Sequence, residues 1–333
     1  MVTGAAAVMA AAMAMLFAVP PPIAPLGWFA LSLGLLFSAH SFLTIAFYAQ
    51  GTERAGTLPG GHVRLAAWRE SGALTGVCAA AVLPAILAPA GAPFAAFAGL
   101  FALATLLALA AMRGQWGPGG AVPPSGGLRA ILADRPARGL LLVALVNAAP
   151  VAVTSTLFLY YVDRRLEAPG WAGPLLLVFF LSAAMAAPLW ARLAGRIGPR
   201  RAVMSGMALG IASFAGAWPL GPGDAGLFAL VCVASGAAVG ADLTLLPALF
   251  AGRLARIGRG PADGFGLWNF VGKATLALSV ATVLPLLAAT GLDRPGPVPP
   301  QASALLAALY AGLPLLLKGL ALVLIARPGL EIR

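Results

Sequence analysis

Apolar residues along this chain gather into ten long blocks separated by short polar or Pro/Gly-rich breaks. The blocks span about 4–20, 27–48, 66–88, 93–112, 139–160, 172–191, 202–219, 226–250, 265–289 and 303–326. Most approach the roughly 20 residues that a helix needs to cross a bilayer. Turns such as PPPIAPLG (20–27) and APAGAP (88–93) end one block and allow the next to reverse. The pattern therefore predicts ten membrane-crossing helices.

Composition agrees with that reading. Of 333 residues, 61 % are hydrophobic and 9 % charged, against about 25 % charged in soluble domains; the mean hydropathy is +0.94. A net charge of +11 raises the question of nucleic acid, but the arginines lie in short loops between apolar spans, where they set orientation. Counted over alternate connections, 16 of the 21 basic residues fall on one side and three on the other, with Lys273 and Lys318 inside spans. That bias predicts that both termini are cytoplasmic, and no nucleic-acid partner is expected. Cys78 and Cys232 lie within apolar spans with no CxxC or Cys/His cluster beside them, so they read as core residues rather than metal ligands. No basic segment precedes the first apolar run, so no cleavable leader is expected.

The longest connection, residues 113–138, is basic and Pro/Gly-rich and divides the chain into a bundle of four helices (1–112) and a bundle of six (139–333). A weak repeat crosses this divide. Leu43-Thr44 recurs as Leu243-Thr244, and Val82-Leu83-Pro84 as Val283-Leu284-Pro285. Parallel halves related about the membrane normal are one plan of transporters. Under that plan the chain corresponds to helices 3–12 of twelve.

Charges inside spans are the candidate functional residues, because an ionisable group at mid-membrane faces a bundle interior or a watery cavity. Asp242 and Lys273 flank the loop GRLARIGRGPADG at matched depth, about 12–14 Å from one face at the helical rise of about 1.5 Å. They are expected to form one charged centre. His40, beside Ser41 and Thr44, suits hydrogen bonding to a ligand or helix packing. Glu70 reads as an interfacial charge and Lys318 as a snorkelling one. Asn147, two turns before Thr154, and Asn269 beside Trp268 supply amides and a stacking surface. Pro188, Pro247 and Pro285 offer points of bending.

The loop ARLAGRIGPRRAV carries Gly195, Arg196, Gly198, Arg200 and Arg201, with glycines for the reversal and arginines to cap helix ends or meet lipid phosphates. It resembles the cytoplasmic signature loop of the major facilitator superfamily. Other stretches look like its glycoside–pentoside–hexuronide:cation symporter branch: RPARGLLLVALVNAAPVAVTSTLFLYYVDRRLEAPGWAG, GADLTLLPALFA, DGFGLWNFVGKATLAL and, earlier, HSFLTIAFYAQGTERAG followed by HVRLAAWRESGALTG. The resemblance covers most of residues 25–320. It implies an all-α integral membrane protein of the major facilitator fold. It places Lys273 where the branch has a lysine near its cation and sugar sites, and Arg69 where it has a sugar-contacting arginine. Two features of the branch have no counterpart: its helix-2 acids would lie upstream of Met1, and its helix-4 acid falls near Thr44, which leaves Asp242 as the candidate ion-coupling acid.

The expected function is secondary active transport of a small solute, a sugar or glycoside, by cation-coupled alternating access. H+ or Na+ is the coupling cation, with no other cofactor and no bound metal. Lys273, Arg69, Asn269, Asn147, Trp268 and His40 are the candidate solute contacts. The expected setting is a bacterial cytoplasmic membrane, with the lipid bilayer as surroundings and the protein as a monomer. The alternatives are an amphiphile carrier of the same fold and an inactive truncated remnant. An intramembrane enzyme is not expected: the sequence carries neither paired Asp-rich motifs nor HExxH.

Overall fold

The computed structural model describes residues 1–22, 24–55, 58, 61–114, 127–258, 261–289 and 299–327. Its helices are α1 (Val2–Phe17), α2 (Pro25–Ala55), α3 (Gly61–Ile86), α4 (Pro93–Ala111), α5 (Gly127–Ala133), α6 (Arg135–Tyr160), α7 (Ala172–Ile197), α8 (Pro199–Ala217), α9 (Ala225–Arg256), α10 (Pro261–Ala288), α11 (Pro300–Ala307) and α12 (Leu313–Ala326). Helices α11 and α12 form one rod, joined through a π-wound stretch, Ala308–Gly312. The ten expected spans thus correspond to ten long rods among the described residues. Seven of these are long and apolar enough to cross a bilayer. Helix α1 is shorter. Helix α3 carries Arg64, Arg69 and Glu70, and α8 carries Arg200, Arg201 and three glycines, so both are less apolar.

Local chemistry explains where the helices start. Proline stands in the first turn of α4, α6, α8 and α11, where its missing N–H would have no helical partner. Asp134 caps α6, its carboxylate accepting from the Ala137 N–H at 2.9 Å. The expected connection 113–138 therefore ends earlier than its sequence suggests, holding α5 and the first turn of α6; residues 115–126 of it lie outside the described residues. Arg259, Arg294 and Arg333 of the charge count lie outside them too.

Small residues bring the second half together. In α9, Gly236 and Gly240 stand one turn apart against α7. An added Cβ at Gly236 would overlap the carbonyl oxygen of Phe179, and one at Gly240 would lie 2.7 Å from that of Ala183. Gly206 of α8 accepts the Ala241 methyl in the same way. Such small-xxx-small faces let helix backbones approach where lipid supplies no hydrophobic drive for association. At the other end of this half, α6 continues through a π-wound turn, Tyr161–Arg165. There Tyr161 stacks on Tyr310 with ring centroids 4.0 Å apart and donates to the Ala217 carbonyl at 2.6 Å.

The halves meet along two seams, α3 against α7 and α9, and α2 against α10. Ser71 donates to the Ala184 carbonyl at 3.1 Å, and Leu74 packs on Ala183 and Ala184. Across the second seam the Tyr48 and Phe265 rings lie 4.7 Å apart.

Candidate functional site

The buried charges of the second half do not pair as their depth suggests. Asp242 on α9 forms its ion pair with Lys318 of α12, not with Lys273. Lys318 is 1 % exposed and Asp242 6 %, so Lys318 does not snorkel to an interface. Its ammonium also donates to the Asn147 side-chain oxygen at 2.7 Å. Two features of the packing permit this. Asn147 sits on the buried face of α6. Gly210 of α8 clears the path of the lysine stem, since a Cβ there would lie 2.9 Å from Lys318 Cε. Asp242 Oδ1 remains buried without a hydrogen-bond partner.

In the first half, Arg69 and Glu70 are also inside rather than interfacial. Glu70 is buried, and one of its oxygens accepts from Arg69 Nε and from the Tyr48 hydroxyl, each at 2.9 Å. The Arg69 guanidinium lies 3.6 Å from the centre of the Tyr48 ring, a cation–π geometry. Arg69 Nη2 is buried without a partner.

Between the halves lie two adjoining cavities. One, of about 390 Å³, is lined by Tyr48 of α2, Asn147 and Ser155 of α6, Asp242 of α9 and Trp268 of α10. The other, of about 310 Å³, is lined by Thr44, Tyr48, Trp268, Asn269 and Lys273. Both fall within the range of small-molecule sites, about 300–1,000 Å³. Trp268, half-buried, packs on Phe250 with centroids 5.2 Å apart, so it is a cavity wall and not a membrane-edge anchor. Asn269 donates to Ser41 Oγ at 2.8 Å, a hydrogen bond that joins the two halves. Lys273 lies 5.9 Å from the Phe37 ring centre, and His40, expected as a solute contact, is exposed on α2 and lines neither cavity. Among the described residues Lys273 has no carboxylate partner. The walls thus present an ammonium, two amides, a carboxylate and aromatic faces, a set that can hydrogen-bond and stack against a polar solute. Among the described residues no three His, Cys, Asp or Glu side chains gather as a metal site.

The loop between α7 and α8 is built on Gly198, whose φ of +88° ends one helix and starts the next. Arg200 reaches across to the last turn of α12, donating to the carbonyls of Ile325 at 3.0 Å and Arg327 at 2.8 Å. Gly195, Arg196 and Ile197 are exposed, and Arg201 is exposed at the start of α8.

Lys318, Tyr48 and Gly210 are the residues of this centre that sequence reasoning misses. Tyr48 lies inside the stretch HSFLTIAFYAQGTERAG, where nothing in the residue pattern singles it out from its apolar neighbours. The depth of Lys318, about 12 Å from the helix end at about 1.5 Å per residue, suits snorkelling as well as burial. Only the presence of a second unexplained intramembrane charge hinted at the pairing.

This geometry has known counterparts. A family profile described as MFS/sugar transport protein matches residues 4–331. Among solved structures, a bacterial homologue of the iron transporter ferroportin, in its outward-facing state, superposes with a TM-score of 0.71 at 12 % identity, covering 98 % of this chain and 83 % of that one. The E. coli fucose:proton symporter FucP superposes with a TM-score of 0.63 at 15 % identity, covering 96 % and 83 %. A search of curated proteins found no match. With its match running over nearly the whole length and two all-helical halves in the major facilitator arrangement, the chain belongs to the MFS/sugar transport family of multi-pass membrane proteins.

Proposed function

We propose that this protein is a cation-coupled secondary transporter, not an enzyme, that carries a small sugar or glycoside by alternating access. The observation that carries the reading is the cavity at the α2–α10 seam, where Lys273, Asn269 and Trp268 face Thr44 and Tyr48. An ammonium without a carboxylate partner and an amide suit sugar hydroxyls, and the indole suits the apolar face of a sugar ring. Asn147 and Asp242 on the adjoining cavity extend the same wall. Arg69 acts on this site through Tyr48, and His40, one turn before Thr44 on α2, is the further solute contact we assign. Asp242 is the acid we assign to coupling. Rocking of the halves about α3–α7 and α2–α10 would break the Asn269–Ser41 and Ser71–Ala184 hydrogen bonds and expose the cavity to the other side. The arginine-rich loops face the cytoplasm of a bacterial inner membrane, as their charge bias supports, and the protein works as a monomer.

The test is uptake of radiolabelled monosaccharides and glycosides into proteoliposomes under an imposed H+ or Na+ gradient. Gradient-driven accumulation, abolished by Lys273→Ala, is the expected result. Accumulation that ignores both the gradient and Lys273→Ala would reject the coupled site. A second reading, transport of an amphiphile, is favoured by a smaller cavity of about 150 Å³ walled by Leu74, Phe158, Phe179, Phe180 and Phe214. Competition separates the two: lysolipid, not short sugars, would block uptake if the amphiphile reading holds.

A further inference from the structure

The surroundings of Lys318 are those of a cation site that is already filled from within the chain. Its ammonium rests against one carboxylate oxygen of Asp242 and 2.7 Å from the amide oxygen of Asn147. These oxygens come from different helices, α9 and α6, and both residues line the cavity of about 390 Å³. Lys318 itself does not line that cavity. It enters from the far side, bordering the smaller cavity of about 150 Å³, through the gap that Gly210 leaves open. A carboxylate and a neutral amide oxygen converging beside a cavity are the hard-oxygen ligands that alkali and alkaline-earth cations take. Asp242 Oδ1, buried and unpartnered, is a further oxygen of the same set. With the ammonium in place the buried carboxylate is neutralised. A Na+ added there would leave the site with one uncompensated positive charge in a low-dielectric interior, and such a charge is costly.

We propose that the Lys318 ammonium is a tethered occupant of the cation position at Asp242 and closes that position to Na+. The inference rests on the coupled-transporter reading only for what it says about coupling. Occupancy itself is a property of the folded protein and is tested without any solute. Removing the ammonium should open the position to a free cation of similar charge, held by Asp242 and Asn147.

The experiment is thermal unfolding of the purified protein in detergent, in NaCl against choline chloride at equal ionic strength. Wild type is expected to show the same midpoint in both salts. Lys318→Ala is expected to gain a Na+-dependent rise of about 2 °C or more at saturating Na+, and Lys318→Ala/Asp242→Asn to lose it. Should Lys318→Ala not survive purification, Lys318→Met keeps most of the stem's volume without the charge and is expected to acquire the same Na+ response. Binding of 22Na+ to wild type and to Asp242→Asn is a separate arm, expected to be equal. A Lys318→Ala or Lys318→Met protein indifferent to Na+, or wild-type Na+ binding that Asp242→Asn removes, would overturn the proposal. Wild-type Na+ binding at Asp242 would make Na+ the cation coupled there, whereas a closed position leaves H+; whether the protein carries a solute at all is decided separately by the uptake assay.

Discussion

Asp242 and Lys318 concentrate more electrostatic consequence than any other side chains of the described structure. Each is almost wholly buried, so removing one partner strands the other charge, a change that costs about 3–5 kcal/mol, whereas replacing both with neutral groups of similar volume is close to neutral. Asp242→Asn should therefore lower the unfolding midpoint sharply, and Asp242→Asn/Lys318→Met should recover most of the loss; thermal melts of the three proteins decide it. An equal loss in the single and double variants would mean that packing, not charge, governs the site. A smaller effect is expected at Tyr48. Tyr48→Phe removes one of the two hydrogen bonds to Glu70 and keeps the ring under Arg69, so the expected loss is about 1–2 kcal/mol. Three charges within spans, Asp242, Lys273 and Arg69, were legible in the sequence because charge is rare in apolar blocks. Their partners were not. Depth along a helix can be counted, but the rotation of one helix against its neighbours cannot, and that rotation turned Asp242 to α12 rather than α10.

At the level of the helices, two devices carry testable weight. The first is the glycine face of α9. Gly236→Ala would push a methyl into the Phe179 carbonyl of α7, and overpacking of this kind costs about 1–3 kcal/mol. Gly226→Ala, on the same helix with open space around it, should be harmless or slightly stabilising. Melting temperature and yield of the two variants provide the comparison. The second is the clasp at the start of α6. Arg253 at the end of α9 holds Asp134 with two hydrogen bonds, at 2.9 and 2.6 Å. These bonds hold the carboxyl below its ordinary value. A depressed carboxyl contributes stability that is fully present above its unfolded value and lost as pH falls through its folded value, and solvent screening reduces the size of the effect at this partly exposed pair. Amide exchange at Ala137 should accordingly quicken only below the ordinary carboxylate range, and Asp134→Asn should show the fast exchange already at neutral pH. Helix number and starts were readable because apolar length and first-turn proline act locally. The π-wound turns at Tyr161–Arg165 and Ala308–Gly312 were not; they hold Tyr161 and Tyr310, which stack on each other although far apart in the chain.

At the scale of the whole molecule, the Ser71–Ala184 and Asn269–Ser41 hydrogen bonds join the two halves, and bundles that separate and reform must break both. Ser71 and Ala184 face each other across the α3–α7 seam, outside the two cavities at α2–α10, where they line a separate cavity of about 720 Å³. A Ser71→Cys/Ala184→Cys protein, with Cys78 and Cys232 replaced by Ser, should transport when reduced and stop when a short reducible thiol cross-linker joins the pair. Uptake that persists after complete cross-linking would mean that this seam does not open during transport. By itself the sequence determined the membrane class, the number of rods and the family, since each depends on composition, segment length or motifs carried by contiguous residues. Only the tertiary structure decided which charges neutralise one another, that Glu70 and Lys318 are interior, and that Trp268 walls a cavity. Those outcomes depend on helix rotation and on how closely glycines let helices approach, and both are fixed by the packing of the whole set of helices together.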